Sequence, residues 1–304
     1  MKLLYLRMIL MLFISLSASA EIESSRLPII DVHIHVYAED VRWDLKIPNP
    51  ANGTKMTATN EKAHMQATFD EMERYNIVKV VAGNNYDVVL RWIEAAPHKI
   101  IGSFAFDSPG DGNLDFVRAE HKAGRLKSIG EVGIQYQGLS PVNPEMEPWY
   151  YLAEELDLPI AIHMGLTRPG SVYDSNPNYR VSLGNPLLLE DVLIRHPKLR
   201  VNVMHAGWPM IDDMIALMWA HPQVYVDTGV ISWALPRTEF HRYLRRLVDA
   251  GFGERIMFGS DQMVWPDSIG LAVKGIESAN FLSEKQKRDI FYNNAVRFFH
   301  LGEK

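Results

Sequence analysis

From Pro28 onward the chain alternates short, β-branched apolar runs with longer segments whose apolar positions return every three or four residues. This is the pattern of parallel strands joined by helices. Eight runs read as strands: Ile29–His35, Ile77–Ala82, Ile100–Phe106, Ser128–Gly133, Pro159–His163, Leu199–His205, Val224–Thr228 and Arg255–Ser260. Helical spacing is clearest over Asn60–Tyr75, Tyr86–Ala96, Glu147–Leu156, Pro186–Arg195, Pro209–Ala220 and Thr238–Ala250. Near the C-terminus Ser283 and Gln286 form a capping-box pair. Ile290, Ala295, Phe298 and Phe299 give that last helix an apolar stripe suited to covering a barrel.

Eight strand–helix pairs in 304 residues fit one α/β domain, a (β/α)8 TIM barrel with a C-terminal covering helix. An open doubly wound sheet uses the same alternation, and periodicity alone does not separate the two. Two polar stretches bearing Pro and Gly interrupt the pattern, Tyr37–Thr59 after the first strand and Leu166–Gly184 after the fifth. Loops there would overhang an active-site mouth.

The first twenty residues stand apart. Lys2 and Arg7 supply positive charge, Met8 to Leu16 is almost wholly apolar, and Ala18-Ser19-Ala20 gives small residues at cleavage spacing. Residues 1–20 are expected to be a cleavable signal peptide, since the apolar run is shorter than the ~20 residues a bilayer span needs. The mature barrel domain would be 21–304, exported to the periplasm or secreted, with no stable membrane anchor after cleavage.

Apolar residues make up 47% and charged residues 22%, an ordinary globular balance. Net charge is -6 and no run of Lys or Arg forms a phosphate-binding stripe, which argues against nucleic-acid partners. The chain has no cysteine. Disulfides, thiolate ligands and a cysteine nucleophile are thereby removed, leaving His, Asp and Glu to hold any metal. A small-molecule substrate is the expected partner, and a homo-oligomer stays open.

Candidate chemistry gathers at strand ends. Asp31-Val32-His33-Ile34-His35 sets two imidazoles two residues apart, so both face one side of a strand. His163 ends the fifth strand, His205 the sixth and Asp261 the eighth. In a barrel the C-terminal strand ends form the active site, so these five groups would converge. Glu131, in Gly130-Glu131-Val132-Gly133, brings a carboxylate to the fourth strand end, where a solvated or arginine-paired role is the alternative.

In this order the residues resemble the amidohydrolase superfamily, in its amidohydrolase-related branch of metal-dependent hydrolases and aminocarboxymuconate-semialdehyde decarboxylase-like enzymes. The resemblance runs from Ile29 to about Leu301 and includes the closing Tyr292-Asn293-Asn294-Ala295-Val296-Arg297-Phe298-Phe299 segment. It implies a divalent metal on His33, His35, His163 and Asp261, with His205 catalytic. It also implies a second ion on His163 and His205, bridged by Glu131, if the centre is binuclear. Zinc is the first expectation, with manganese, iron and cobalt open.

The activity so implied is hydrolysis of a C–N or C–O bond in an amide, lactone or ester, by water that the metal activates. Asp261 would take the water's proton, and His205 or a second metal would polarise the carbonyl. Non-oxidative decarboxylation on the same ligand set is one alternative, and a non-catalytic binding protein on the same barrel is another.

For substrate contacts the 166–184 loop offers Arg168, Tyr173, Tyr179 and Arg180 to a carboxylate and a planar ring, while Trp208 and Trp265 could wall a pocket. Solvation of the arginines and rim capping by the tryptophans stand beside that reading. His196 and His221, at helix ends before prolines, are expected to meet terminal carbonyls. His64, His98, His121, His241 and His300 are expected away from the catalytic face.

Overall fold

A computed structural model of the protein describes residues 26–41 and 43–302. The expected signal peptide, 1–20, lies outside them. Eight parallel strands form one sheet in chain order: β1 Ile29–Val36, β2 Ile77–Asn84, β3 Ile100–Phe106, β4 Leu126–Val132, β5 Ile160–His163, β6 Val201–Met204, β7 Val224–Asp227 and β8 Ile256–Met257. The ring closes just past β8, where Val32 N donates to Phe258 O at 2.9 Å and Asp261 N to His33 O at 2.7 Å. These bonds select the barrel over the open sheet. They also explain why β8 is shorter than its apolar run: its continuation pairs across the seam with β1 and with Ile290.

The helices run along the outside: α1 Glu61–Arg74, α2 Tyr86–Ala95, α3 Leu114–Lys122, α4 Glu147–Glu155, α5 Glu190–Arg195, α6 Ile211–Ala220, the single turn α7 Ile231–Ala234, α8 Arg237–Asp249, α9 Ser268–Glu277, α10 Glu284–Arg288 and α11 Asn294–Phe298. Their starts obey local chemistry. Asn60, Asn85 and Asn113 each turn a side-chain oxygen onto a first-turn N–H, satisfying a donor the helix cannot. Ser283 and Gln286 make the expected capping box.

Two helices escape the apolar spacing. In α3 only nine residues are helical and the buried positions are Val117 and Glu120, too few turns for an apolar spacing to recur. In α9, Gly270 and Gly275 interrupt the pattern for packing reasons: a Cβ at Gly270 would stand 2.5 Å from Tyr75 Oη, and at Gly275 2.6 Å from Ser232 O.

Apolar burial separates the two ends of the barrel. At the strand starts Ile30, Val81, Ile101 and Met257 form a plug with Ala295 and Phe298 of α11. The C-terminal segment therefore covers the barrel as expected, though as α10, a π turn at Asp289–Asn293 and α11 rather than one helix. The opposite end, where the strands finish, carries the polar groups.

Candidate metal centre

His33 and His35 stand two residues apart on β1, while Ile34 and Val36 between and beyond them pack into the core shared with the outer helices. His163 is the last residue of β5, and His205 and Asp261 follow β6 and β8 in left-handed backbone, φ 58° and 50°. Such conformations are uncommon for non-glycine residues and mark a constrained site. The six residues His33, His35, Glu131, His163, His205 and Asp261 come together, as their positions in the sequence predict.

Glu131 is the hub. Its Oε2 lies 3.4 Å from His33 Nε2 and 3.2 Å from His35 Nε2, while Oε1 lies 2.5 Å from His163 Nδ1 and 3.7 Å from His205 Nε2. Asp261 Oδ1 sits 3.1 Å from His35 Nε2 and 3.8 Å from His33 Nε2. Among the described residues, three sets of donor atoms are close enough to share a cation: His33, His35 and Asp261; Glu131, His163 and His205; and His33, His205 and Asp227. His163 thus groups with His205 and Glu131, apart from the β1 pair.

The electrostatics are those of a cluster that wants a cation. Burial disfavours charge on every member, yet Asp261 and Asp227 outweigh it at His33 and push that imidazole up to about 10. Asp261 and Glu131 do the same for His35. At His163, burial and the neighbouring His205 prevail and the pKa falls. Against burial, the surrounding histidines hold Glu131 well below the usual carboxylate range and lower Asp261 as well. His33 Nε2 and Asp261 Oδ1 are buried without a hydrogen-bond partner, an expensive state that a bound cation would relieve. Donors that are nitrogen and oxygen only suit a borderline divalent ion.

Sequence reasoning missed two further groups. Tyr136, in the 3-10 turn Ile134–Gln137 after β4, places its hydroxyl 3.1 Å from His163 Nδ1, and burial followed by Glu131 keeps the phenol protonated. Asp227, at the end of β7, is fully buried 3.4 Å from His33 Nδ1. A residue four places past β4 carries no strand-end signal. An Asp ending a strand does, but nothing in Val-Tyr-Val-Asp-Thr distinguishes it from a capping acid.

The expected substrate residues sit farther out. Arg168 pairs with Asp174 inside its own loop, and Tyr173 is 92% exposed. Arg180 donates to the carbonyls of Pro177 and Tyr179, and lines an open depression of about 480 Å³ with Gln137, Asn178 and Ser182. Tyr179 is buried with its hydroxyl on Gly165 O at 2.6 Å, its ring 6.2 Å from Tyr136. Trp208 Nε1 donates to Glu239 and Trp265 Nε1 to Ile47 O, fastening rim loops.

Expectations about three of the other histidines need correction. His64 is not away from the catalytic face: its ring lies 5.6 Å from Tyr37, which stacks on His35 at 6.0 Å. A helix that follows a strand begins at the strand-end side, so its first turn belongs to the mouth. His196 meets two carboxylates rather than terminal carbonyls, with Glu147 Oε1 at 2.9 Å and Glu154 Oε2 at 3.3 Å, and His221 Nε2 is buried without a hydrogen-bond partner, 3.9 Å from Glu190 Oε1.

The amidohydrolase family model matches residues 30–301, and the chain belongs to that family. Protein fluG of Emericella nidulans is 22% identical over 160 residues, which are 48% of this chain and 18% of that longer protein. Among solved structures, an uncharacterised TIM-barrel protein from Bordetella bronchiseptica superposes with a TM-score of 0.67 at 19% identity, covering 90% of this chain and 99% of its own. A 2-pyrone-4,6-dicarboxylic acid hydrolase candidate from Acinetobacter baumannii gives 0.64 at 15%, covering 90% and 100%. The 2,6-dihydroxybenzoate decarboxylase from Rhizobium gives 0.58 at 14%, covering 91% and 99%. The shared barrel therefore hosts both hydrolases and decarboxylases.

Proposed function

We propose that this protein is a metal-dependent hydrolase that cleaves a C–N or C–O bond of a small amide, lactone or ester at a centre of two divalent cations, zinc first among them. One observation carries the reading: the Glu131 carboxylate turns one oxygen to the β1 histidines and the other to His163 and His205. His33, His35 and Asp261 would hold one ion and His163 and His205 the other, with Glu131 between them.

When bound, such an ion supplies Lewis acidity, bringing the pKa of water from about 16 toward about 7 and polarising a carbonyl. The chain's own groups do the rest. Asp261 accepts the proton of the attacking water and passes it to the leaving nitrogen or oxygen. The Tyr136 hydroxyl donates to the oxygen on which negative charge develops. Tyr37 stacks beside His35 and, with Trp43 and His64 behind it, walls the β1 side of the site against bulk water. Arg180 lends positive charge to the open depression it lines with Gln137 and Asn178, the place proposed for a substrate carboxylate.

Metal analysis and product analysis together test the reading. The zinc-loaded protein is expected to hold about two ions per chain and to release acid from a panel of lactones, cyclic amides and esters. Carbon dioxide from aromatic acids, with no hydrolysis, would replace this activity by decarboxylation. Failure to retain zinc, manganese or iron would make the barrel a binding protein. Export with cleavage after Ala20 belongs to the same proposal, and N-terminal sequencing of the exported chain should begin at Glu21.

A further inference from the structure

The end of β7 touches both halves of the centre. Asp227 Oδ1 accepts from Gly229 N at 2.8 Å and from His205 N at 3.1 Å, and Oδ2 accepts from Asn202 Nδ2 at 2.8 Å. The same Oδ2 lies 3.4 Å from His33 Nδ1, within ion-pair range. Two residues on, Gly229 O lies 3.1 Å from His205 Nδ1. No side chain could stand at 229, because a Cβ there would be 2.5 Å from His33 Nδ1 and 2.9 Å from Asp227 Oδ1. A Cβ at Gly259 would likewise be 2.9 Å from His33 Cβ. The His33 ring is therefore boxed between two glycines and a carboxylate.

We infer that Asp227, with the Gly229 carbonyl, is a positioning element that fixes the tautomer of one histidine from each half of the centre. The inference rests on the metal-centre reading above. A carbonyl oxygen only accepts, so His205 Nδ1 carries the proton and Nε2 is left with its lone pair toward Glu131, 3.7 Å away. At His33 the buried carboxylate faces Nδ1 at 3.4 Å, outside hydrogen-bond geometry, and its charge favours the proton on that nitrogen, leaving Nε2 free on the side of Glu131 and Asp261. Asp227 is a poor ligand itself, despite its closeness to both rings, because its oxygens are already spent on three N–H donors. A histidine ligand whose second nitrogen donates to a carboxylate is held in orientation and made more basic, an effect worth about 10- to 100-fold in metal affinity.

Zinc binding and the state of His33 test this without any substrate. In zinc-loaded wild-type protein, long-range ¹H–¹⁵N spectra should show His33 and His205 protonated at Nδ1. Asp227→Asn, which keeps the size but cannot accept from every donor, should weaken zinc about 10- to 100-fold and alter the visible absorption of the cobalt-substituted protein. Asn202→Ala removes another partner of the same carboxylate and should leave zinc affinity within about threefold, well short of the loss that removing the orienting carboxylate causes. Equal losses in the two variants would reduce Asp227 to packing, and an unchanged affinity and cobalt spectrum in Asp227→Asn would dismiss it. Should Asp227→Asn not fold, protonation of His33 at Nε2 in the wild-type spectra overturns the inference by itself. Wild-type protein that binds no zinc would instead remove the metal reading.

Discussion

Asp261 shows how much a single residue is asked to do. Its backbone is left-handed at φ 50°, pinned by its own N–H on His33 O, and this aims Oδ1 between the β1 rings. Asp261→Asn keeps that shape and loses the proton acceptor. Turnover should fall by about 10²- to 10⁴-fold while the melting midpoint moves little; undiminished turnover would remove Asp261 from the chemistry. The charges around it make a second prediction. His33 and His35, both pushed up to about 10, hold protons at neutral pH where cation charge would otherwise be. Uptake of zinc must expel them. Calorimetric titrations at pH 7 in buffers of different ionisation enthalpy should register release of about two protons, and affinity should climb as pH rises toward 10 because fewer protons remain to displace. Affinity flat in pH would contradict the charge assignment. At this scale the six candidate ligands were legible because each lies in the later half of a strand or within a few residues past its end and bears a metal-binding group. Tyr136 and Asp227 were not, since one reaches the site from a turn and the other acts through His33.

Among the elements, α1 links the mouth to the scaffold. His64 in its first turn is buried, donates Nε2 to Met263 O at 2.8 Å and packs between Trp43 and Trp92. Burial, aided by the charge of His35, lowers it from 6.5 to about 4. Above pH 6.5 the ring is neutral folded or unfolded and nothing changes with pH. Between 6.5 and about 4 only the unfolded chain takes the proton, so stability declines as pH falls, by on the order of 3 kcal/mol in all. His64→Gln keeps a donor for Met263 O and abolishes the titration. Its urea midpoint should therefore drop less than that of wild type between pH 7.5 and 4.5, and parallel drops would assign the acid sensitivity elsewhere. Apolar spacing revealed α1 but said nothing of which end its first turn occupies; that follows only once the barrel is granted. The glycines of α9 and the seam past β8 were illegible for a related reason, because both are dictated by partners distant in sequence.

Across the whole molecule the two barrel ends divide the labour between stability and chemistry. The strand-start end is sealed by Phe298 and Ala295 against Ile30, Val81, Ile101 and Met257, with Phe298 also 4.9 Å from Tyr225 ring to ring. No titratable group of the candidate centre belongs to this plug, and β5 pairs with β6 in unbroken register, although the β1–β2 ladder is interrupted between Asp31 and Ile34. Eight apolar runs and a striped C-terminal segment were enough to foresee this division, because hydrophobic burial is a property of pattern. The break of that segment into two short helices around a π turn was not foreseeable, and just past it Asn294 Nδ2 donates to Ile256 O at 2.6 Å, a partner distant in sequence. If the ends are independent, damage to the plug should cost stability alone. Phe298→Ala removes a nearly fully buried ring and is expected to lower unfolding free energy by about 3–5 kcal/mol. Below the unfolding transition, the same variant should bind zinc with wild-type stoichiometry and affinity. Urea titration followed by tryptophan fluorescence measures the first quantity and calorimetric zinc titration the second. A plug variant that stays folded but loses zinc would show that the covering helix sets the ligand geometry through the strands, and the separation of the two ends would have to be abandoned.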